Sequence, residues 1–284
     1  MNIAIYQSYY LEQQKKFLDK SFIPFDNTAN LTPLLREQPM HSQLFEKHRN
    51  DHNTHWGLVS WKWFEKTKAK GKFFIDWIQE NPGYDLYFID PNIADIGVYK
   101  NTFINGDMAH PGLLKFSQEL VDRLGMKINL SEDGFHPSIF STCTFWIGNS
   151  KFWNRWFEFY MKCNHIIIDN PKMKDFMYGW SKRTHLGQKV LNYPFIHERL
   201  ISLYLYQEKN IKWIQYPLDS QYFHWKLKKE FPDVGSYVFY RLMYLIHKKI
   251  IHCDGKLIVP MNEKDFSHES TSRFPESNKA IKIK

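Results

Sequence analysis

Short runs of β-branched and aromatic residues alternate along this chain with longer stretches whose apolar residues recur at helical spacing. That alternation predicts an α/β fold: an open mixed sheet flanked by helices. NIAIYQSYY opens the fold as a strand at residue 2, and DNTANLTP follows as a loop. THWGLVSWKWFEKT joins a short strand to the start of a helix. In KGKFFIDWIQENPG, Phe73, Phe74, Trp77 and Ile78 mark a helical face that Asn81-Pro82-Gly83 brings to a stop. DLYFID is the next strand. HPGLLKFSQELVDRLG is predicted as a helix with Pro111 in its first turn and Gly125 as its stop. STCTFWIG is a strand, after which Asn149 or Ser150 caps the helix KFWNRWFEFYMKC. YPFIHERLISLYLYQEKN is a further helix and IKWIQYPL a strand. VGSYVFYRLMYLIHKKIIH is predicted as a C-terminal aromatic helix with a basic end. The expected organisation is an α/β unit over 1–220, a basic helical extension over 221–261 and a frayed polar tail over 262–284.

Composition narrows the function classes. At 43% hydrophobic residues the chain can bury a sizeable core, which excludes disorder over its whole length. The net charge is +8, and the stretch from Gln221 to Lys284 holds 12 Lys/Arg against 7 Asp/Glu. Such a surface favours anionic partners. Three cysteines without a C-x-x-C pair argue against a disulfide framework or a structural zinc site and fit a reducing compartment. MNIAIYQSYY lacks a basic n-region, and no run reaches the roughly 18 apolar residues of a membrane span. The expected location is the cytoplasm. There is no G-x-G-x-x-G after a strand, no Walker loop and no G-x-S-x-G elbow. HRNDHNTH spaces His48, His52 and His55 like ligands, but its Asn and Asp residues read as a solvated connection, with His55 the one that would face a site.

The stretch YDLYFIDPN, residues 84–92, poses the functional question. A strand built for a core ends in Asp90-Pro91-Asn92. Ligands of open α/β sheets bind beyond the carboxyl ends of strands. A carboxylate there can hold a divalent cation on a diphosphate or hydrogen-bond a sugar hydroxyl, and Asn92 adds a neutral oxygen two residues on. Asp, Pro and Asn are also ordinary turn residues.

HWGLVSWKWFEKT, NPGYDLYFIDPN, GDMAHPG, TFWIGNSKFWNRW and PFIHERLISLYL, in that order, give the chain a resemblance to bacterial glycosyltransferases of the GT-A type that build capsule or lipopolysaccharide glycans. It covers roughly residues 2 to 217. The resemblance implies a nucleotide-sugar donor (UDP-sugar favoured) and a glycan or polyprenyl-linked acceptor. It places Asp90-Pro91-Asn92 at the family's D-x-D position. Asn92 replaces the second acid, which weakens any Mn²⁺ or Mg²⁺ site on Asp90 and Asn92. Lys62 and Lys66 are alternative partners for the diphosphate. Glu198 is the first candidate base and Asp107 the second. His110 before a helix start is placed to meet a phosphate, and Gly148-Asn149 to present amides to a sugar. Gln7 and Tyr9, at the end of the first strand, would meet the nucleotide base.

Two other readings compete. A basic, aromatic-rich protein can hold single-stranded nucleic acid, but here the aromatics fall at core spacing. A glycosyltransferase-like protein inactivated by Asn92 is the other. The C-terminal segment, with Lys226, Lys228, Lys229, Arg241, Lys248 and Lys249 among apolar residues, is expected to lie on an anionic membrane surface.

Overall fold

The computed structural model describes residues 1–30, 32–92, 95, 99–182 and 189–217. It is an α/β fold with a six-stranded mixed sheet flanked by helices. In chain order the elements are β1 (Asn2–Tyr9), β2 (Ile23–Asp26), α1 (Gln38–His48), β3 (Thr54–Ser60), α2 (Trp63–Thr67) and α3 (Gly71–Glu80). Then come β4 (Leu86–Phe88), α4 (Thr102–Ala109), α5 (Leu113–Arg123) and β5 (Trp146–Gly148). α6 (Ser150–Asp169), α7 (Pro171–Met177), α8 (Tyr193–Gln207) and β6 (Trp213–Gln215) follow. The basic helix and tail expected beyond residue 220 lie outside the described residues. Among the described residues no helix is long and apolar enough to cross a membrane.

The strand order is β2-β1-β3-β5-β4-β6. β1 runs parallel to β2 and β3, and β4 parallel to β6, while β5 is antiparallel to both of its neighbours. Five strands therefore end at one edge of the sheet, and β5 begins there. Period-two alternation sorts the side chains into two cores. Tyr6, Leu58, Leu86, Phe88 and Trp146 face a large layer of α1 and α4–α8. Ile5, Val59, Tyr87, Ile89, Phe145 and Ile147 face α2 and α3, through Trp63, Phe74 and Ile78. Trp153 of α6 stacks on Trp56 of β3 at 4.1 Å and donates from Nε1 to the Trp56 carbonyl at 2.9 Å. An aromatic pair of this kind adds about 1 kcal/mol to the burial of its area. A Cβ at Gly57 would overlap the carbonyl oxygen of Trp146, so the β3–β5 ladder closes only over glycine.

Some boundaries differ from those read in the sequence. The helix expected at His110 begins at Leu113, and Pro111 lies outside it. The reason is Asp107, whose Oδ1 accepts from the amides of Gly112 and Leu114 and so fixes the start of α5. Asn149 is the N-cap of α6, accepting from the Phe152 amide at 2.9 Å, and α6 runs on to Asp169. The strand predicted in STCTFWIG is paired only over Trp146–Gly148. Before it, Ser141 bonds to Ser202 and Thr142 to Asp90 in place of a ladder.

Candidate functional site

Asp90 is wholly buried just past the end of β4. Its Oδ1 accepts from the Asn92 amide at 2.9 Å and from Thr142 Oγ1 at 3.1 Å; its Oδ2 accepts from the Thr142 amide at 3.2 Å. Asn92 Nδ2 donates to Thr142 Oγ1 at 3.0 Å. The Asp-Pro-Asn turn is thus sewn to the segment that leads into β5. Thr142 reaches Asp90 because β5 is antiparallel: its beginning, not its end, lies beside the end of β4.

Glu198 projects from the second turn of α8, a helix opened by Pro194 in its first turn. Its side chain keeps 19% exposure although protein crowds it, which puts it on the floor of a recess. Burial pushes its carboxyl up to about 7, against the pull of Arg199, Lys66 and Arg36, while the charge of Glu37 pushes the same way as burial. These groups come from α2, α8 and the loop before α1 and converge on one neighbourhood. Lys66 of α2 lies 3.6 Å from Cys143 Sγ and over the Phe145 ring. Burial alone would pull its ammonium down, but its interactions with Cys143, Glu198 and Glu37 outweigh it and the net direction is up. The Cys143 thiol is itself pushed to about 12, first by burial. It is neutral at physiological pH, so the partners that keep Lys66 charged there are Glu198 and Glu37.

The loop before α1 supplies Arg36 and Glu37. Arg36 holds a left-handed backbone, φ 51°, and its guanidinium lies over the Phe195 ring at 5.4 Å. The Tyr10 hydroxyl, just past β1, lies 3.5 Å from Glu37 Oε1. Arg199 points into protein: it donates to the carbonyls of Thr102 and Phe195, each at 2.7 Å, and to Asn105 Oδ1 at 3.0 Å. Its buried charge is offset by Glu198, Asp95 and Asp90. Arg199 is thus a staple between α4 and α8, and a source of positive potential behind Asp90.

The structure brings Asp90, Asn92, Glu198 and Lys66 together at this edge; the other candidates either lie at the far edge or are engaged by different partners. Gly148 pairs with Leu86 at the start of β4, so Gly148 and Asn149 stand at the opposite edge, where Asn149 Nδ2 donates to Asp85 at 2.9 Å. His55 pairs with Ile3 at that same far edge and bonds the Tyr84 carbonyl, not the recess. His52 contacts Ser150, and His48 contacts the Tyr6 hydroxyl, so the three histidines do not converge. Gln7 is occupied with the Ser60 carbonyl and the Asp19 amide. Tyr9 engages Asp26, with Lys15 over its ring. Lys62 lies over the Trp61 ring. His110 packs under Phe195, ring centroids 3.5 Å apart, with Nδ1 2.7 Å from Ser181 Oγ. Asp107, besides capping α5, lines an open hollow of about 520 Å³ with Lys115 and Gln118. A second hollow, about 690 Å³, lies between α1 and α6. Neither includes Asp90 or Glu198.

Sequence reasoning missed Arg36, Glu37, Tyr10, Thr142, Cys143 and Arg199. Only Arg199 left a signal: a second charge beside Glu198 inside an otherwise apolar helix.

A divalent cation on Asp90 and Asn92 does not fit this donor set as a preformed cage. The Asp90 oxygens already accept three hydrogen bonds, and the Asn92 amide is turned to Thr142. Among the described residues no three His, Cys, Asp or Glu side chains gather as metal ligands. Positive charge around Glu198 comes from Lys66, Arg36 and Arg199. No family model, curated protein or solved structure matches this chain.

Proposed function

We propose that this chain is a GT-A-type glycosyltransferase, transferring a hexosyl group from a nucleotide-sugar donor to a cell-surface glycan or lipid-linked acceptor. The observation that carries the reading is Glu198: a carboxyl balanced near neutrality on the floor of a recess, at the strand-end edge, facing two cationic side chains. A base poised near the working pH is both available and strong enough to take a proton. In the transfer, Glu198 accepts the proton of the acceptor hydroxyl as that oxygen bonds the anomeric carbon. The bond from that carbon to the donor diphosphate breaks, and the diphosphate leaves with the electron pair. Lys66 and Arg36 balance the negative charge that develops on it. Asp90, locked by Thr142 and Asn92, shapes the strand end against which the donor sits. This geometry supports transfer without routing a step through a metal.

Incubation with UDP- and GDP-sugars tests the reading. A bound donor should raise the melting temperature by mass action, and nucleotide should be released on turnover. Asp90→Ala should lower turnover at least about tenfold, equivalent to roughly 1.4 kcal/mol of transition-state stabilisation. A folded chain that binds and turns over no sugar nucleotide, or a fully active Asp90→Ala variant, would overturn it.

A further inference from the structure

β1 and β3 are hydrogen-bonded parallel neighbours, so the segments that follow them leave the same sheet edge side by side. That edge also carries the recess. The first segment presents Leu11, 56% exposed, and Phe17, 51% exposed; the second presents Phe64, also 51% exposed. Phe17 and the half-buried Trp61 join the two, with ring centroids 5.7 Å apart. Each ring carries a lysine: Lys16 over Phe17 at 5.0 Å, Lys62 over Trp61 at 5.1 Å and Lys68 over Phe64 at 5.7 Å. The stretch 61–72 holds five lysines against one acid, Glu65; Lys66 turns inward and Lys72 pairs with Asp76, which leaves Lys62, Lys68 and Lys70 for the patch. Of the first segment's acids, Glu12 is paired with Lys15, and Asp19 is occupied by the amides of Ser21 and Gly71.

We propose that this patch docks the protein on an anionic lipid bilayer. Exposed Phe and Leu tips ringed by lysine ammonium groups match the acyl–headgroup boundary: the apolar ends enter it and the lysines meet acidic headgroups. Such a patch is otherwise unfavourable on a water-facing surface. A nucleic acid fits less well, because the patch includes leucine, which offers no stacking face, and Phe17 is already against Trp61. α2 ties docking to the recess. Its Lys66 is turned to Cys143 and Glu198, while Phe64 on the same short helix and Lys68 just past its end are exposed. A docked protein would hold the recess at the membrane surface, where a lipid-linked acceptor lies. That last link rests on the proposed function; the docking itself does not.

Sedimentation of the full chain with vesicles tests docking without reference to sugar transfer, so the two readings can fail separately. Binding should require phosphatidylglycerol, be absent on phosphatidylcholine alone and weaken with salt. Phe17→Ser with Phe64→Ser, and separately Lys16→Glu with Lys68→Glu, should each weaken partition at least about tenfold. All four side chains are exposed, so the melting temperature should stay unchanged, which separates lost docking from lost folding. A parallel variant with Lys226, Lys228 and Lys229 changed to Glu reports the C-terminal segment. Undiminished binding by both patch variants would overturn the proposal, whatever the C-terminal variant does. So would equal binding to neutral vesicles, or retention on single-stranded oligonucleotide with no binding to either vesicle.

Discussion

Replacing Glu198 with glutamine should make the protein more stable above neutral pH while making it inactive. Glutamine keeps the shape of the side chain and removes its titration. The Glu198 carboxyl moves from its ordinary 4.5 to about 7 in the native fold, chiefly because burial disfavours the ionised form. A folded pKa raised above the unfolded value means that the native state holds the extra proton over that interval. The favourable contribution is complete below pH 4.5 and is lost as pH rises through about 7. The interval corresponds to about 3 kcal/mol at alkaline pH. Glutamine removes that loss, but it also removes the partner of Arg199, whose charge then rests on Asp90 and Asp95. The expected gain is therefore about 1–3 kcal/mol at about pH 8.5, and close to none at about pH 5. For a chain of this size it should appear as a melting temperature higher by roughly 2–10 °C at the alkaline end only. Differential scanning calorimetry across pH reads it directly. Turnover should fall at least about a hundredfold, as for loss of a general base. A gain of equal size at both ends of the pH range, or destabilisation at the alkaline end, would refute the argument.

Gly57→Ala should destabilise the fold by at least about 3 kcal/mol, because the new methyl overlaps backbone that cannot rotate away; an unchanged urea midpoint would contradict this. Cys143 and Cys163, both pushed to about 12 chiefly by burial, should resist iodoacetamide at neutral pH in the native protein and react once it is unfolded. Mass spectrometry of the native digest checks this, and alkylated Cys143 would mean a thiolate beside Lys66. His197 is driven down to about 4 by burial, among the Trp146, Trp156 and Tyr160 rings and beside His41. Its depressed value means stability present above 6.5 and lost as pH falls through about 4. His197→Phe should flatten that acid limb, whatever its offset at neutral pH; an unchanged slope in melting temperature against pH would refute it.

The elements that sequence did determine are those with a local cause. Period-two and helical patterns placed β1, β3, α3, α6 and α8, and the capping chemistry of Asn149 was legible because an N-cap acts on amides two or three residues away. Asp90 at a strand end and Glu198 on the helix YPFIHERLISLYLYQEKN were likewise legible as positions. α1 was not, since its buried residues are only Met40, His41 and Leu44, too few to show a face. Nor was β2, four residues with none buried, held to β1 by backbone bonds. Strand direction was the larger omission. A period of two reads the same whichever way a strand runs, so STCTFWIG gave no sign that β5 is antiparallel. That one reversal carries Gly148 and Asn149 to the far edge and brings Thr142 and Cys143 to Asp90 and Lys66. The balance of the Glu198 carboxyl was also invisible, because it depends on Arg36 and Glu37 of one loop, Lys66 of α2 and Arg199 of α8 meeting in space. Burial and charge at a point in space are sums over neighbours, and only the tertiary structure decides which residues are neighbours.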